Sequence, residues 1–210
     1  MPRIEDYKKA AEIAREELLP KNPKRIAGMC GAQFHGRSAD KISLEMRFLD
    51  KDVKIDWPKL VIYEKDTGKE LPIQEQVLIL HYMRGCLKGV EITKQWISYQ
   101  DLPDGRFYMD AFVKRAKKPM IDAFGKDPGL LVELSKKLYD AKEFDKGDYS
   151  VLIKALPYVP VVLILWEGDE EFPPDGTILF DMGIRKILSA EDIAWLSGMI
   201  IYRLIGELKR

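Results

Sequence analysis

Cysteine is nearly absent from this 210-residue chain. Cys30 and Cys86 are the two that occur, and no CxxC is found, so neither a zinc ribbon nor a complete iron–sulfur cage can be assembled from one chain. An excess of one charge is missing too, since 34 basic residues balance 34 acidic ones. Binding along a phosphate backbone draws its energy from clustered Lys and Arg, so the balance argues against nucleic acid as the main partner. Long apolar runs are also lacking. VVLILW at 161–166 is among the longest, far short of the roughly 20 residues that a bilayer-spanning helix requires. The opening stretch MPRIEDYKKAAEIAREELLP is charged throughout and has no apolar h-region. The expectation is a soluble, reduced, cytoplasmic protein with no nucleic-acid and no membrane partner.

The motifs that announce common chemistries are absent as well. GxGxxG, GxxxxGKS/T, HExxH, GxSxG and the EF-hand pattern do not occur, which weakens dinucleotide, P-loop, zincin and hydrolase readings. No motif specifies a cofactor.

What is present describes a folded chain, with 46% hydrophobic and 10% aromatic residues. A length of 210 residues suits one compact domain spanning 1–210. Ile4, Tyr7, Ala11, Ala14 and Leu18 recur at helical spacing and Pro20 stops them. Asn22 and Pro23 are placed as cap and first residue of a second helix, limited by Gly28 and Gly31. KISLEMRFL alternates apolar and polar residues, as a half-buried strand does, and DVKIDWP and KLVIY continue with strands. LPIQEQVLILHYMRG predicts a helix with Ile73, Val77, Leu80 and Met83 or Arg84 on one face, ended by Gly85. WISYQDLPDGRFYMDAF then offers a short extended piece, a Pro-Asp-Gly turn and an aromatic-rich helix, and helical stretches near 119–124 and 128–141 follow. YSVLIKALP, VPVVLILW and TILFD read as strands, and 161–166 and 177–181 are expected to be antiparallel neighbours. Ser189 and Asp192 form a capping box before a helix buried through Ile193, Leu196, Ile200 and Leu204. Strands early, helices in the middle and strands late predict an α+β fold, a mainly antiparallel sheet with helices packed on it.

Candidate chemistry concentrates in LILWEGDEEFPPDGTILFD, residues 163–181. Glu167, Asp169, Glu170, Glu171, Asp175 and Asp181 supply oxygens suited to a hard cation or a polar ligand. Phe172 with Pro173 and Pro174 would stiffen the connection. The competing reading is a solvated turn whose charges keep two apolar strands from mispairing. Asp181, at a strand end before Gly183, is either an aimed ligand residue or a turn cap. If the acids form a site, Asp169, Glu171 and Asp181 must converge on one cleft, walled by Trp96, Tyr99 or Trp166 and neutralised by Arg84 or Arg106. His81 is a candidate base or ligand on a mostly apolar helix, where a satisfied core imidazole is the commoner outcome. Cys30 and His35 form a soft pair with too few partners for a metal centre. The basic run Lys114, Arg115, Lys117 and Lys118 reads most simply as a solvated helix face.

The strings Glu75–Tyr82, Trp96–Tyr99 with Leu102-Pro103 and Gly105, Leu156-Pro157 with Pro160, and Trp166 with Gly168–Pro173 and Ile178–Asp181 occur in order along the chain. Together they resemble an uncharacterised prokaryotic family, a domain of unknown function with the signature WxGDEEFPxxxxILFD. That family is common in anaerobes, and some relatives carry an N-terminal corrinoid-protein-type iron–sulfur domain of four cysteines. The resemblance implies that the acidic connection is a family signature and names no reaction. With two cysteines present, it sets direct electron transfer aside. Three functions follow as expectations. The first is a soluble binding or accessory protein in anaerobic metal- or corrinoid-linked metabolism, taking a small ligand or a protein partner. The second is an enzyme using Asp169, Glu171, Asp181 and His81 for acid–base or metal chemistry. The third is a structural partner subunit whose signature is an interface.

Overall fold

A computed structural model of the chain describes residues 3–36 and 42–209. They form two compact units, each built on its own antiparallel sheet, and the fold is α+β.

The first unit comprises residues up to Glu91 together with Leu156–Tyr158 and Lys186–Leu188. Helix α1 (Ile4–Leu18) buries Ala11, Ala14 and Leu18, the stripe that its spacing predicts. Helix α2 (Pro23–Cys30) starts where Asn22 Oδ1 accepts the Arg25 N–H at 3.1 Å and ends at Gly31, whose φ of 68° only glycine adopts readily. Strands β1 (Gln33–Gly36), β2 (Ile42–Phe48), β3 (Lys51–Trp57) and β4 (Val61–Glu64) form a meander in chain order. Strand β1 has no apolar alternation and was not foreseen. Lys41, the first residue of the strand expected over KISLEMRFL, lies outside the described residues. Leu44, Met46, Phe48, Val53, Ile55 and Ile62 turn to the buried face. The Trp57–Pro58 peptide between β3 and β4 is cis.

Helix α3 (Ile73–Cys86) departs from the expectation of a single apolar face. Val77, Leu78, Ile79, Leu80, Tyr82, Met83 and Cys86 are all buried, so it is an interior helix of this unit. Polar groups there are paired. Gln76, 2% exposed, receives Arg15 on its oxygen at 3.1 Å and donates to Glu70 and to Leu71 O. The Tyr82 hydroxyl donates to Cys30 O at 2.8 Å and accepts the Tyr158 N–H. Gly85 does not end the helix, as its residue type suggested. It lets Ile187 come close, because a Cβ at position 85 would lie 1.9 Å from Ile187 O.

The second unit holds strands β5 (Trp96–Ser98), β6 (Lys142–Glu143), β7 (Tyr149–Leu156), β8 (Val159–Trp166) and β9 (Asp175–Asp181), in spatial order β5-β9-β8-β7-β6. Strand β8 is central, and Val161 to Leu165 are buried on both faces, which explains why it reads as a continuous apolar run. It pairs antiparallel with β9 from Val161↔Phe180 to Trp166↔Asp175, the neighbour relation expected from the sequence. Helix α4 (Gly105–Phe112) runs through a π-helical turn at Val113–Lys117 into α5 (Lys118–Phe124). Pro119 has no N–H for the ordinary helical bond, and such turns are one way a helix accommodates that loss. Helices α6 (Pro128–Tyr139) and α7 (Ala190–Glu207) complete the unit. The capping box at Ser189 and Asp192 is formed, and Ile193, Leu196, Ile200 and Leu204 are fully buried.

Gly85→Ala tests this packing. Alanine ordinarily favours a helix over glycine by roughly 1 kcal/mol, yet the approach of Ile187 should turn that gain into a loss of roughly 1–3 kcal/mol from overpacking. Urea denaturation reads the sign directly, and a stabilised variant would show that the contact yields.

Candidate functional site

The acidic segment is the connection between β8 and β9, residues 167–174, with Asp175 and Asp181 at the two ends of β9. Asp181 follows Asp175 by six residue steps, and at roughly 3.3 Å per step the two ends lie roughly 20 Å apart. Asp169 and Glu171 therefore cannot meet Asp181 in one cleft. The converging site expected from the spacing is not formed, because the strand between them is extended and paired with β8 from Asp175 to Phe180.

Each carboxylate instead has its own setting. Asp181 is 2% exposed, and its oxygens accept four hydrogen bonds. The donors are Thr93 N–H at 3.0 Å, the Thr93 hydroxyl at 3.1 Å, Lys94 N–H at 2.6 Å and Gly183 N–H at 2.8 Å. It ties the segment entering β5 to the turn leaving β9, so the turn-cap reading is the one realised. Asp175 pairs with Lys117 at 3.2 Å. Glu167 accepts from the Tyr149 hydroxyl and holds that phenol's proton on, while its own N–H donates to Asp148.

Asp169 organises the turn. Its carboxylate accepts the N–H groups of Glu171 and Phe172 at 2.8 and 2.7 Å, and its own N–H donates to Phe172 O at 2.9 Å. These backbone donors favour the charged form and hold the Asp169 carboxyl below the usual range. Gly168 lets Pro174 close over the turn, since a Cβ there would be 2.7 Å from the proline ring. Glu170, Glu171 and Phe172 remain at the tip. Both glutamates are exposed without an ion-pair partner among the described residues, and the Phe172 ring is 66% exposed. A single exposed ring is ordinary on a protein surface, and Phe107 on α4 is 83% exposed. What sets Phe172 apart is that it stands between carboxylates on a turn held by its own hydrogen bonds.

The expected aromatic wall is dispersed. Tyr99 is core: it stacks on Phe112 at 4.0 Å, donates to Ala190 O at 2.7 Å, and burial pushes its pKa up. Trp96 packs edge-on against Phe144 at 5.2 Å and pairs in register with Asp181, at the far end of β9 from the turn. Trp166, 38% exposed, ends β8 next to the turn. The expected neutralising arginines are engaged elsewhere or distant in role. Arg84 pairs with Glu17 in the first unit at 3.2 Å, and Arg106 is exposed with its field on Asp101. Lys117, from the basic run read as a solvated face, is the cation that does pair with the segment.

His81 is half-buried on α3 of the first unit, whereas the carboxylates belong to the second. Cys30 and His35 do not act together: the Cys30 thiol faces Ala27 O, and His35 lies 3.5 Å from Glu45. Burial pushes the Cys30 and Cys86 thiols up to about 11 and about 12, which keeps both protonated and poor as metal ligands. Among the described residues no three His, Cys, Asp or Glu gather as a metal-ligand set, and no helix is long and apolar enough to cross a membrane.

These observations define an α+β protein that presents a carboxylate-flanked aromatic turn. The chain belongs to the family described as a domain of unknown function, DUF3786, which it matches over residues 22–203, the acidic turn included. Neither a curated protein nor a solved structure matches it.

Two outcomes check the roles assigned to the acids. Asp181→Asn leaves one oxygen for donors that now share two, and an amide N–H₂ facing backbone N–H groups. A loss of roughly 3 kcal/mol in urea denaturation is expected for charged bonds of this kind, and an unchanged midpoint would refute the structural role. The Asp169 carboxyl is depressed, so its ordering of the turn is present above the ordinary aspartate range and lost as pH falls through its lowered value. NMR titration should show the Glu171 and Phe172 amides moving together, with one midpoint below that of a free aspartate.

Proposed function

We propose that this chain is a binding or accessory protein whose contact element is the turn tip Glu170, Glu171 and Phe172. The observation that carries the reading is Phe172, 66% exposed on a turn that Asp169 and Pro174 hold in shape. A pre-shaped turn loses little conformational freedom on docking, and an aromatic side chain seated in a pocket is the usual anchor of a protein interface. Flanking carboxylates select a partner whose pocket is rimmed by Lys or Arg, and they speed and orient encounter more than they add affinity. The partner is therefore a protein with an apolar pocket in a basic surface.

The resemblance to relatives fused to corrinoid-type iron–sulfur domains supports a setting in anaerobic corrinoid- or metal-linked metabolism, with the chain as accessory subunit. No observation favours the acid–base alternative. Asp181 already holds four donors, and Asp169 is committed to its turn.

The test is anaerobic purification of the tagged chain from its native cells, followed by native mass spectrometry, and titration of the purified partner with the variants. Phe172→Ala should weaken a stoichiometric complex by about thirtyfold, as loss of an anchor does. Glu170→Gln with Glu171→Gln should slow association and flatten its salt dependence. A partner that binds both variants as tightly and as fast as the parent would overturn the reading.

A further inference from the structure

The first unit carries a cleft that lies outside the acidic turn. It occupies about 310 Å³ where the link between α1 and α2 meets the end of α3. Pro20, Ile26, Met29 and Leu87 supply apolar lining, and Lys21 and Arg25 stand among them. That volume sits at the low end of small-molecule sites, which are apolar clefts with a few charged or polar groups that orient the ligand.

The charge of its lining is one-sided, with Lys21 and Arg25 and no carboxylate. No carboxylate occurs between Glu17 and Asp40, although 34 of the 210 residues are acidic. Lys21, Lys24 and Arg25 fall inside that interval. Glu17, the nearest acid in sequence, is bound to Arg84 at 3.2 Å, and Glu91 beyond α3 faces Lys186. Lys21 and Arg25 make no ion pair with a described residue. In a chain of zero net charge this is a local arrangement and not an overall excess.

From the apolar lining and the two free cations we infer that this cleft binds a small organic anion, one carboxylate or phosphate group on a short apolar body. Arg25 offers the planar fork that grips such a group at two oxygens, and Lys21 offers a mobile point charge. Ile26, Met29 and Leu87 take the apolar body. Both head groups share this chemistry, and the experiment separates them. The inference stands apart from the docking turn and survives its failure.

The test is two-dimensional amide NMR of the full chain, titrated separately with hexanoate, hexyl phosphate, inorganic phosphate and 1-hexanol. At least one of the two amphipathic anions should give saturable shifts confined to residues 21–30 and 87–88, and the tighter of the two identifies the head group. Phosphate and hexanol, each carrying half of the recognition, should bind at least about tenfold more weakly. Lys21→Gln with Arg25→Gln should lose about tenfold in affinity with an unchanged melting curve, since both side chains are exposed. The inference is overturned by the absence of a saturable local shift with both anions. Equal binding of hexanol or of inorganic phosphate overturns it too, as does undiminished binding by the double variant.

Discussion

One buried carboxylate sets the frame of the second unit. The backbone at Thr93, Lys94 and Gly183 lies beyond the ends of the strands, where no ladder supplies acceptors, and at the buried Gly183 an unpaired N–H would be costly. Asp181 receives all three, together with the Thr93 hydroxyl. That arrangement fixes where β5 can join the sheet as an edge strand, and β5 in turn aims Trp96 at Phe144 and delivers Tyr99 into the core. The stack of Tyr99 on Phe112, with Phe180 edge-on to both, then seats the C-terminal end of α4. A single strand-end acid thus governs the register of elements far along the chain from it.

The remaining acids of the segment divide by task. Asp169 shapes backbone, Asp175 and Glu167 answer a lysine and a tyrosine, and Glu170 and Glu171 stay in solvent beside an exposed ring. Composition alone treats these six groups as one cluster. Their physics differs because a two-residue step along a strand or turn changes which donors lie within reach.

Much of the architecture was legible beforehand. The Ser189–Asp192 box, the Asn22 cap and the β8–β9 pairing all follow from local chemistry or from a doubly buried apolar run, and the structure has them. Strand β1 was invisible because its residues, Gln33–Gly36, are mostly exposed and carry no alternation. Gly85 misled because a glycine that ends a helix and one that admits a neighbouring carbonyl look identical in one sequence. The imagined meeting of Asp169, Glu171 and Asp181 failed on distance, which a list of residue types does not contain. The cleft beside α2 escaped notice because its lining comes from segments more than fifty positions apart.

Ile187 and Tyr158 close the packing of α3 through Gly85 and the Tyr82 hydroxyl. The ribosome makes them late. At 5–20 residues per second, about a hundred residues and roughly 5–20 s separate the appearance of Gly85 from that of Ile187. Through that interval the nascent first unit holds an apolar interior helix without its last cover. Its assembly therefore waits on the synthesis of Ile187, and a chain cut short before that residue has a first unit that lacks part of its own core.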